Sequence, residues 1–240
     1  METKSAIGNP KSAIQTRLLL FDIDGTLINS GGAGIYALKL ALGERFGITD
    51  DLSDIEIAGM TDSGIVVSIL NKHKLPATKE NITAFLDSYV HFLSLELPRR
   101  QGKLLPGVLE LLNKLKSRKH LVLALLTGNV SRGAELKLDH YGVWHFFEFG
   151  AFADDHQDRN QLGPFARARA KEKHGLEFSA SEIDVIGDTP RDIACGKAFG
   201  ARTIAVATGT WTREQLAEHH PDFLIDDLAE VDRVIDTLGW

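Results

Sequence analysis

The segment Asp22-Ile23-Asp24-Gly25-Thr26 follows the apolar run Leu18–Phe21 directly and sets two carboxylates around a single apolar residue. In an extended chain, alternate side chains share a face, so Asp22 and Asp24 point one way while Ile23 turns inward. Two carboxylates aimed at one small volume repel by roughly 4 kcal/mol at 4 Å with an effective dielectric near 20. A fold holds such a pair when a cation, a shared proton or hydrogen bonds offset the repulsion. Gly25 permits a sharp turn, and Thr26 offers a hydroxyl and an N–H to an anion. These are the parts of a metal-assisted phosphoryl-transfer site with an aspartate nucleophile. Two further stretches belong with them. Thr127-Gly128-Asn129 closes the run Leu121–Leu126 and can either donate to phosphate oxygens or cap a helix. Asp188, in Gly187-Asp188-Thr189-Pro190-Arg191-Asp192, follows another apolar run, with Asp192 four residues on. An oxygen-only ligand set of this kind suits magnesium.

Elements that could gather these residues recur along the chain. Short apolar runs at Leu18–Phe21, Leu121–Leu126, Phe146–Phe149, Ile183–Ile186, Thr203–Val206 and Phe223–Ile225 have the length of buried strands. Amphipathic stretches Val108–Lys116, Phe165–His174 and Arg191–Phe199 suit crossover helices. The alternation predicts an α/β fold, a parallel sheet with helices on both faces and ligands at the carboxyl ends of its strands. Between Leu27 and Leu105 only helical periodicity is found, at Ala33–Phe46, Ser63–His73 and Lys79–Leu97. The expected organisation is a flexible tail over 1–16, a core over 17–28 and 103–240, and an inserted helical domain over 29–102. Gly31-Gly32-Ala33-Gly34 reads as the hinge between core and insertion, because no Lys-Ser/Thr follows to make it a phosphate loop.

Composition narrows the function classes. The 240-residue chain is 43% hydrophobic and 25% charged, as an ordinary globular protein is. Its net charge of −6 argues against nucleic acid or an anionic membrane as partner. A single cysteine, Cys195, excludes an internal disulfide, and its helical context reads as a small buried hydrophobe. Residues 1–16 lack the apolar block of a secretory signal, so a cytoplasmic protein, monomer or homodimer, is expected. The nine histidines show no zinc-type spacing.

With Asp-x-Asp-Gly-Thr early, a strand ending in Thr127, and the late Gly-Asp-Thr-x-x-x-Asp, the chain resembles the haloacid dehalogenase superfamily from about Arg17 to Leu238. Within it the likeness is to the phosphoglycolate phosphatase and beta-phosphoglucomutase-like branch. The resemblance implies a Rossmann-like core with an α-helical cap and a magnesium-dependent phosphatase acting through an aspartyl-phosphate on a small phosphorylated metabolite, phosphoglycolate-like or a sugar phosphate. By resemblance Asp22 is the nucleophile, Asp24 the acid and base, and Thr127 a phosphate ligand. Asp22, Asp24 through its backbone carbonyl, Asp188 and Asp192 serve the metal. The cap loop around Gly59 and Thr61 reads the leaving group, with helix capping by Thr61 or Asp62 as the alternative. The family's Lys-Pro is absent. Aligning Pro164 places Gln161 where lysine is expected, so Arg159 is assigned as the active-site cation, with Lys137 and Arg132 as rivals. A phosphomutase and a non-catalytic phosphate-binding protein are the alternative functions.

Overall fold

The structure, a computed structural model, describes residues 16–240; the tail expected over 1–16 lies outside them except for Thr16. In chain order the strands are β1 (Arg17–Phe21), β2 (Ile28–Asn29), β3 (Lys103–Leu104), β4 (Leu121–Leu126), β5 (Gly150–Ala151), β6 (Ile183–Gly187), β7 (Arg202–Val206) and β8 (Phe223–Ile225). The helices are α1 (Ala33–Phe46), α2 (Asp62–Lys72), α3 (Lys79–Glu96), α4 (Val108–Lys116), α5 (Ser131–His140), α6 (Leu162–His174), α7 (Pro190–Ala198), α8 (Arg213–Ala217) and α9 (Val231–Leu238).

Six strands form one parallel sheet in the order β5-β4-β1-β6-β7-β8. β1 is apolar from Leu18 to Phe21 because both of its faces are covered. Leu19 and Phe21 pack with α4, α5 and α9, whereas Leu18 and Leu20 pack with α6 and Cys195 of α7. All four side chains are buried, each worth about 1.5–3 kcal/mol of transfer free energy. The carboxyl ends of β1, β4 and β6 therefore lie side by side, which brings Asp22, Thr127 and Asp188 to one edge of the sheet.

Helices α1, α2 and α3 build a second apolar cluster of their own. Ala37, Leu38 and Ala41 of α1 meet Ile65 and Ile69 of α2 and Phe85, Tyr89 and Leu93 of α3. Side-chain caps start two of these helices: Thr61 accepts from the Gly64 N–H, and Thr78 from that of Asn81. Positive φ at Gly31 and Gly32 turns the chain into α1.

Two local expectations are corrected. The aromatic run Phe146–Phe149 is not a strand; it begins in a 3-10 turn, Trp144–Phe146, and the strand follows at Gly150–Ala151. A Cβ at Gly150 would lie 2.7 Å from Leu125 Cβ, so glycine lets this strand approach β4, while Phe146 and Phe147 fill the core from the loop. The stretch between Leu27 and Leu105 also contains strand, because β2 and β3 pair antiparallel where the chain leaves and re-enters the sheet. Two-residue strands leave no periodicity in a sequence.

Candidate active site

Asp22 leaves β1 with its N–H bonded to the Ile186 carbonyl of β6 at 2.9 Å, so its backbone is still sheet-like and its side chain direction is fixed. The chain then closes a tight turn, with the Leu27 and Ile28 N–H groups on the Ile23 carbonyl and the Gly25 N–H on Ile28. Gly25 takes φ +84°, and a Cβ there would lie 2.3 Å from the Asp188 carboxylate. Glycine is thus required both for the turn and for the approach of β6's acid to β1's.

Carboxylate oxygens of Asp22, Asp188 and Asp192 lie within 4.8 Å of one another, and all three residues are at most 5% exposed. Arg159 joins them from a 3-10 turn, Arg159–Gln161. Its Nη2 donates to Asp22 Oδ1 at 2.8 Å and to Asp192 Oδ1, and its Nη1 donates to the Gly59 carbonyl at 3.1 Å. Asp192 is held in turn by the Thr189 N–H and hydroxyl in a capping box at the start of α7. Burial pushes the Asp22 carboxyl up to about 7, against the pull of Arg159 and with added repulsion from Asp192 and Asp24. Burial likewise raises Asp188 well above the carboxylate range, reinforced by Asp192 and Asp22. Three buried acids facing one guanidinium carry an excess of negative charge that a divalent cation would neutralise, and an all-oxygen donor set fits magnesium.

Asp24 belongs to a separate group. Its Oδ2 receives Lys137 Nζ at 2.5 Å and Asn129 Nδ2 at 3.0 Å, and Lys137 also donates to Asn129 Oδ1 at 2.6 Å. The Asp24 carboxylate is therefore outside the three-acid cluster, which leaves its backbone carbonyl as the ligand expected from it. Lys137, buried on α5, also has the Tyr89 phenol beside it. Burial opposes its charge, but Asp24, Tyr89 and Asp62 hold it protonated.

Both groups open onto a cavity of about 380 Å³ between the sheet edge and the helical layer. Asp22, Asp24, Gly59, Gly128, Asn129, Lys137, Arg159 and Asp188 line it. Thr26, Thr61, Thr127 and Asp192 do not. Thr26 is fully buried and donates to Asp188 Oδ1 at 3.1 Å, so its hydroxyl orients an acid instead of meeting an anion. Thr61 caps α2 and donates to the Gln157 carbonyl at 2.6 Å. The Thr127 hydroxyl, fully buried, accepts from Asn129 Nδ2 at 2.8 Å. Gly128 touches the helical layer through its carbonyl, which accepts the Asp62 N–H at 2.6 Å. Of the cation candidates, Arg159 and Lys137 both reach the site, Arg132 pairs with Asp87 at the surface, and Gln161 is exposed. Sequence reasoning missed two groups. Asp62 and Tyr89 line the cavity from the helical layer, where Tyr89 reads as part of an apolar stripe. The loop Thr208–Thr210 lines it after β7, and inspection of that strand's carboxyl end would have found it.

Comparison with known proteins agrees with this geometry. The profile of the haloacid dehalogenase-like hydrolases matches residues 19–206. A Dickeya dadantii (strain 3937) protein named "Probable phosphatase IndB" is 29% identical over 89% of this chain and 91% of its own. The phosphoglycolate phosphatase of Vibrio cholerae is 25% identical, over 91% and 96%. Among solved structures, CbbY from Rhodobacter sphaeroides in complex with phosphate superposes with a TM-score of 0.73 at 17% identity, over 90% of this chain and 96% of that one, and so shares the fold. The chain belongs to the haloacid dehalogenase-like hydrolase family, and phosphoglycolate phosphatases are among the relatives it resembles.

Proposed function

We propose that this hydrolase is a magnesium-dependent phosphatase that cleaves a small phosphorylated metabolite through an aspartyl-phosphate on Asp22. The observation that carries the reading is the three-acid cluster of Asp22, Asp188 and Asp192 with Arg159 bonded to Asp22 at the edge of the sheet. Arg159 takes the part the missing lysine plays elsewhere in the family. Its two bonds to Asp22 and Asp192 hold the nucleophile in one rotamer while leaving the other Asp22 oxygen toward the cavity. Asp22, the Asp24 carbonyl and Asp188 would hold magnesium, with Asp192 in support, and the ion when bound supplies positive charge that shields phosphoryl oxygens from the acids.

An Asp22 carboxylate oxygen attacks phosphorus, the P–O bond to the leaving group breaks, and Asp24 gives its proton to the departing alkoxide. Asp24 then takes a proton from water, which attacks phosphorus, breaks the aspartyl bond and returns Asp22 to its carboxylate. Asn129 and Lys137 fix Asp24 in position for both transfers. Residues 29–102 act as the cap: their helices cover the cavity and limit both water and substrate size. The net charge of −6 argues against a nucleic-acid or anionic-membrane partner, and the single cysteine fits a cytoplasmic enzyme, monomer or homodimer. No helix among the described residues is long and apolar enough to cross a membrane.

The test is phosphate release from p-nitrophenyl phosphate, with and without magnesium, on wild type and Asp22→Asn. Turnover should require both metal and Asp22, with a loss of at least about a thousandfold in the variant. Equal turnover in the variant removes Asp22 as nucleophile. Release of free phosphate, as opposed to its return to the same sugar, separates phosphatase from phosphomutase.

A further inference from the structure

The phosphoryl end of the cavity is set by Asp22, Asp188 and Arg159, so whatever is esterified to phosphorus extends toward the helical layer. The apolar part of the lining is Ile35, Leu38, Ile57, Met60 and Ile65 of the helical layer with Ile28 of β2, beside the polar Asn29, Ser30, Thr208 and Thr210. Charge is distributed just as unevenly. Four carboxylates line the cavity, those of Asp22, Asp24, Asp62 and Asp188, against two cations, Arg159 and Lys137. Both cations are already paired with acids. Arg159 is bonded to Asp22, Asp192 and the Gly59 carbonyl. Lys137 gives two of its N–H bonds to Asp24 and Asn129, with the Tyr89 phenol alongside.

From this we infer that the leaving group is a neutral, largely apolar alcohol, and that Ile35, Ile57 and Met60 determine specificity for it. A carboxylate on the leaving group would face an apolar wall and a surplus of acids without a partner. A polyol would strand hydroxyls against isoleucine side chains, each costing about tenfold or more in affinity. A hydrocarbon or ring body buries apolar surface instead. The inference rests on the phosphatase reading for the direction in which substrate enters.

Binding can be read apart from turnover with phosphonates, which carry a P–C bond in place of the scissile oxygen. 2-Phenylethylphosphonate and 3-phosphonopropionate, the analogues of benzyl phosphate and phosphoglycolate, are titrated calorimetrically into the full-length protein in magnesium. The aryl compound should bind at least about thirtyfold more tightly. An Ile35→Arg variant, and independently Ile57→Arg on the loop before α2, should narrow that ratio by about tenfold through tighter binding of the carboxylate. Carboxylate binding equal to or tighter than aryl binding in wild type, or no binding of either, overturns the inference. So does an unchanged ratio in both arginine variants. Parallel assays of phosphate release from benzyl phosphate, phosphoglycolate and glucose 6-phosphate separate the two claims. These esters all leave as primary alcohols or, for the sugar, a hydroxymethyl group, so leaving-group reactivity does not decide among them. Aryl preference in binding without release of phosphate from any ester sinks the phosphatase reading and keeps the pocket's selectivity.

Discussion

Two buried acid clusters sit at opposite ends of the same parallel sheet, and they are built on opposite charge balances. At the amino-terminal end, Asp184 of β6 is one acid among three donors. Arg17 of β1 and Arg202 of β7 bond it through both Nε and Nη2, and the Trp240 indole donates at 2.6 Å. At the carboxyl-terminal end, Asp22, Asp188 and Asp192 share the single guanidinium of Arg159. Burial acts to raise the carboxyls of Asp184, Asp22 and Asp188 alike. At Asp184 the hydrogen bonds from Arg202, Arg17 and Trp240 outweigh it and hold the carboxyl below its ordinary value. At Asp22 and Asp188 burial prevails, and neighbouring carboxylates add to it. The first cluster is complete as it stands and ties three strands and the chain's last residue together. The second is complete only with further positive charge, which is how a site differs from a clamp.

The sharpest separation comes from acids that resemble each other in sequence and differ in place. Asp24→Asn should lower kcat by about 10²–10⁴ because the proton donor and acceptor is lost. Its amide oxygen still accepts from Lys137 and its side chain is 39% exposed, so unfolding free energy should fall by less than it does for Asp184→Asn, although the buried ammonium loses its carboxylate. Asp184→Asn should do the reverse. Leaving two guanidinium groups without their carboxylate costs about 3 kcal/mol in urea unfolding, while kcat of the folded fraction stays at the wild-type value. Acid exposes the same asymmetry. A carboxyl whose folded pKa is depressed contributes stability above its unfolded value and loses it as pH falls through the folded one. The gap between wild type and Asp184→Asn should therefore be full above about pH 4 and close below it. A gap that widens in acid would contradict the assignment.

How much of this is legible in the sequence follows from the range of each interaction. Asp22 and Asp24 announce themselves because a two-residue period and a following glycine are local facts. The strands of the core are legible for the same reason, being apolar runs covered on both faces. What fails is anything decided by a partner far away. Thr26 carries a hydroxyl at a position suited to an anion, yet Asp188, 162 residues on, takes it, and Thr61, which caps α2 as its alternative reading had it, gives its proton to the Gln157 carbonyl 96 residues on. Lys137, a rival for the active-site cation on sequence grounds, reaches Asp24 across 113 residues, a partner the periodicity of its own helix does not reveal. Arg159 was recoverable by asking which cation could stand beside the acids, and aligning the proline alone would have chosen Gln161, which faces solvent. Tyr89 could not be separated from the apolar stripe of α3, since only its phenol oxygen distinguishes it there.

The smallest predicted effect is also the one whose sign decides the comparison. Magnesium at about a hundred times its dissociation constant should stabilise the wild type by about 2.7 kcal/mol, and should do nothing for Asp188→Asn. In the absence of metal that variant should be more stable than wild type, by about 1 kcal/mol, because one of three crowded carboxylates has been neutralised. The amide oxygen can still accept from Thr26, so the hydrogen bond that orients residue 188 is kept. The same Asp-to-Asn change is thus expected to destabilise at one end of the sheet and stabilise at the other. Urea unfolding of both variants in chelator measures this directly. If Asp188→Asn is less stable than wild type without metal, the three-acid cluster is a clamp like the one around Asp184. Its excess charge would then have another counterion within the protein, and the case for a divalent cation between Asp22 and Asp188 would fall with it.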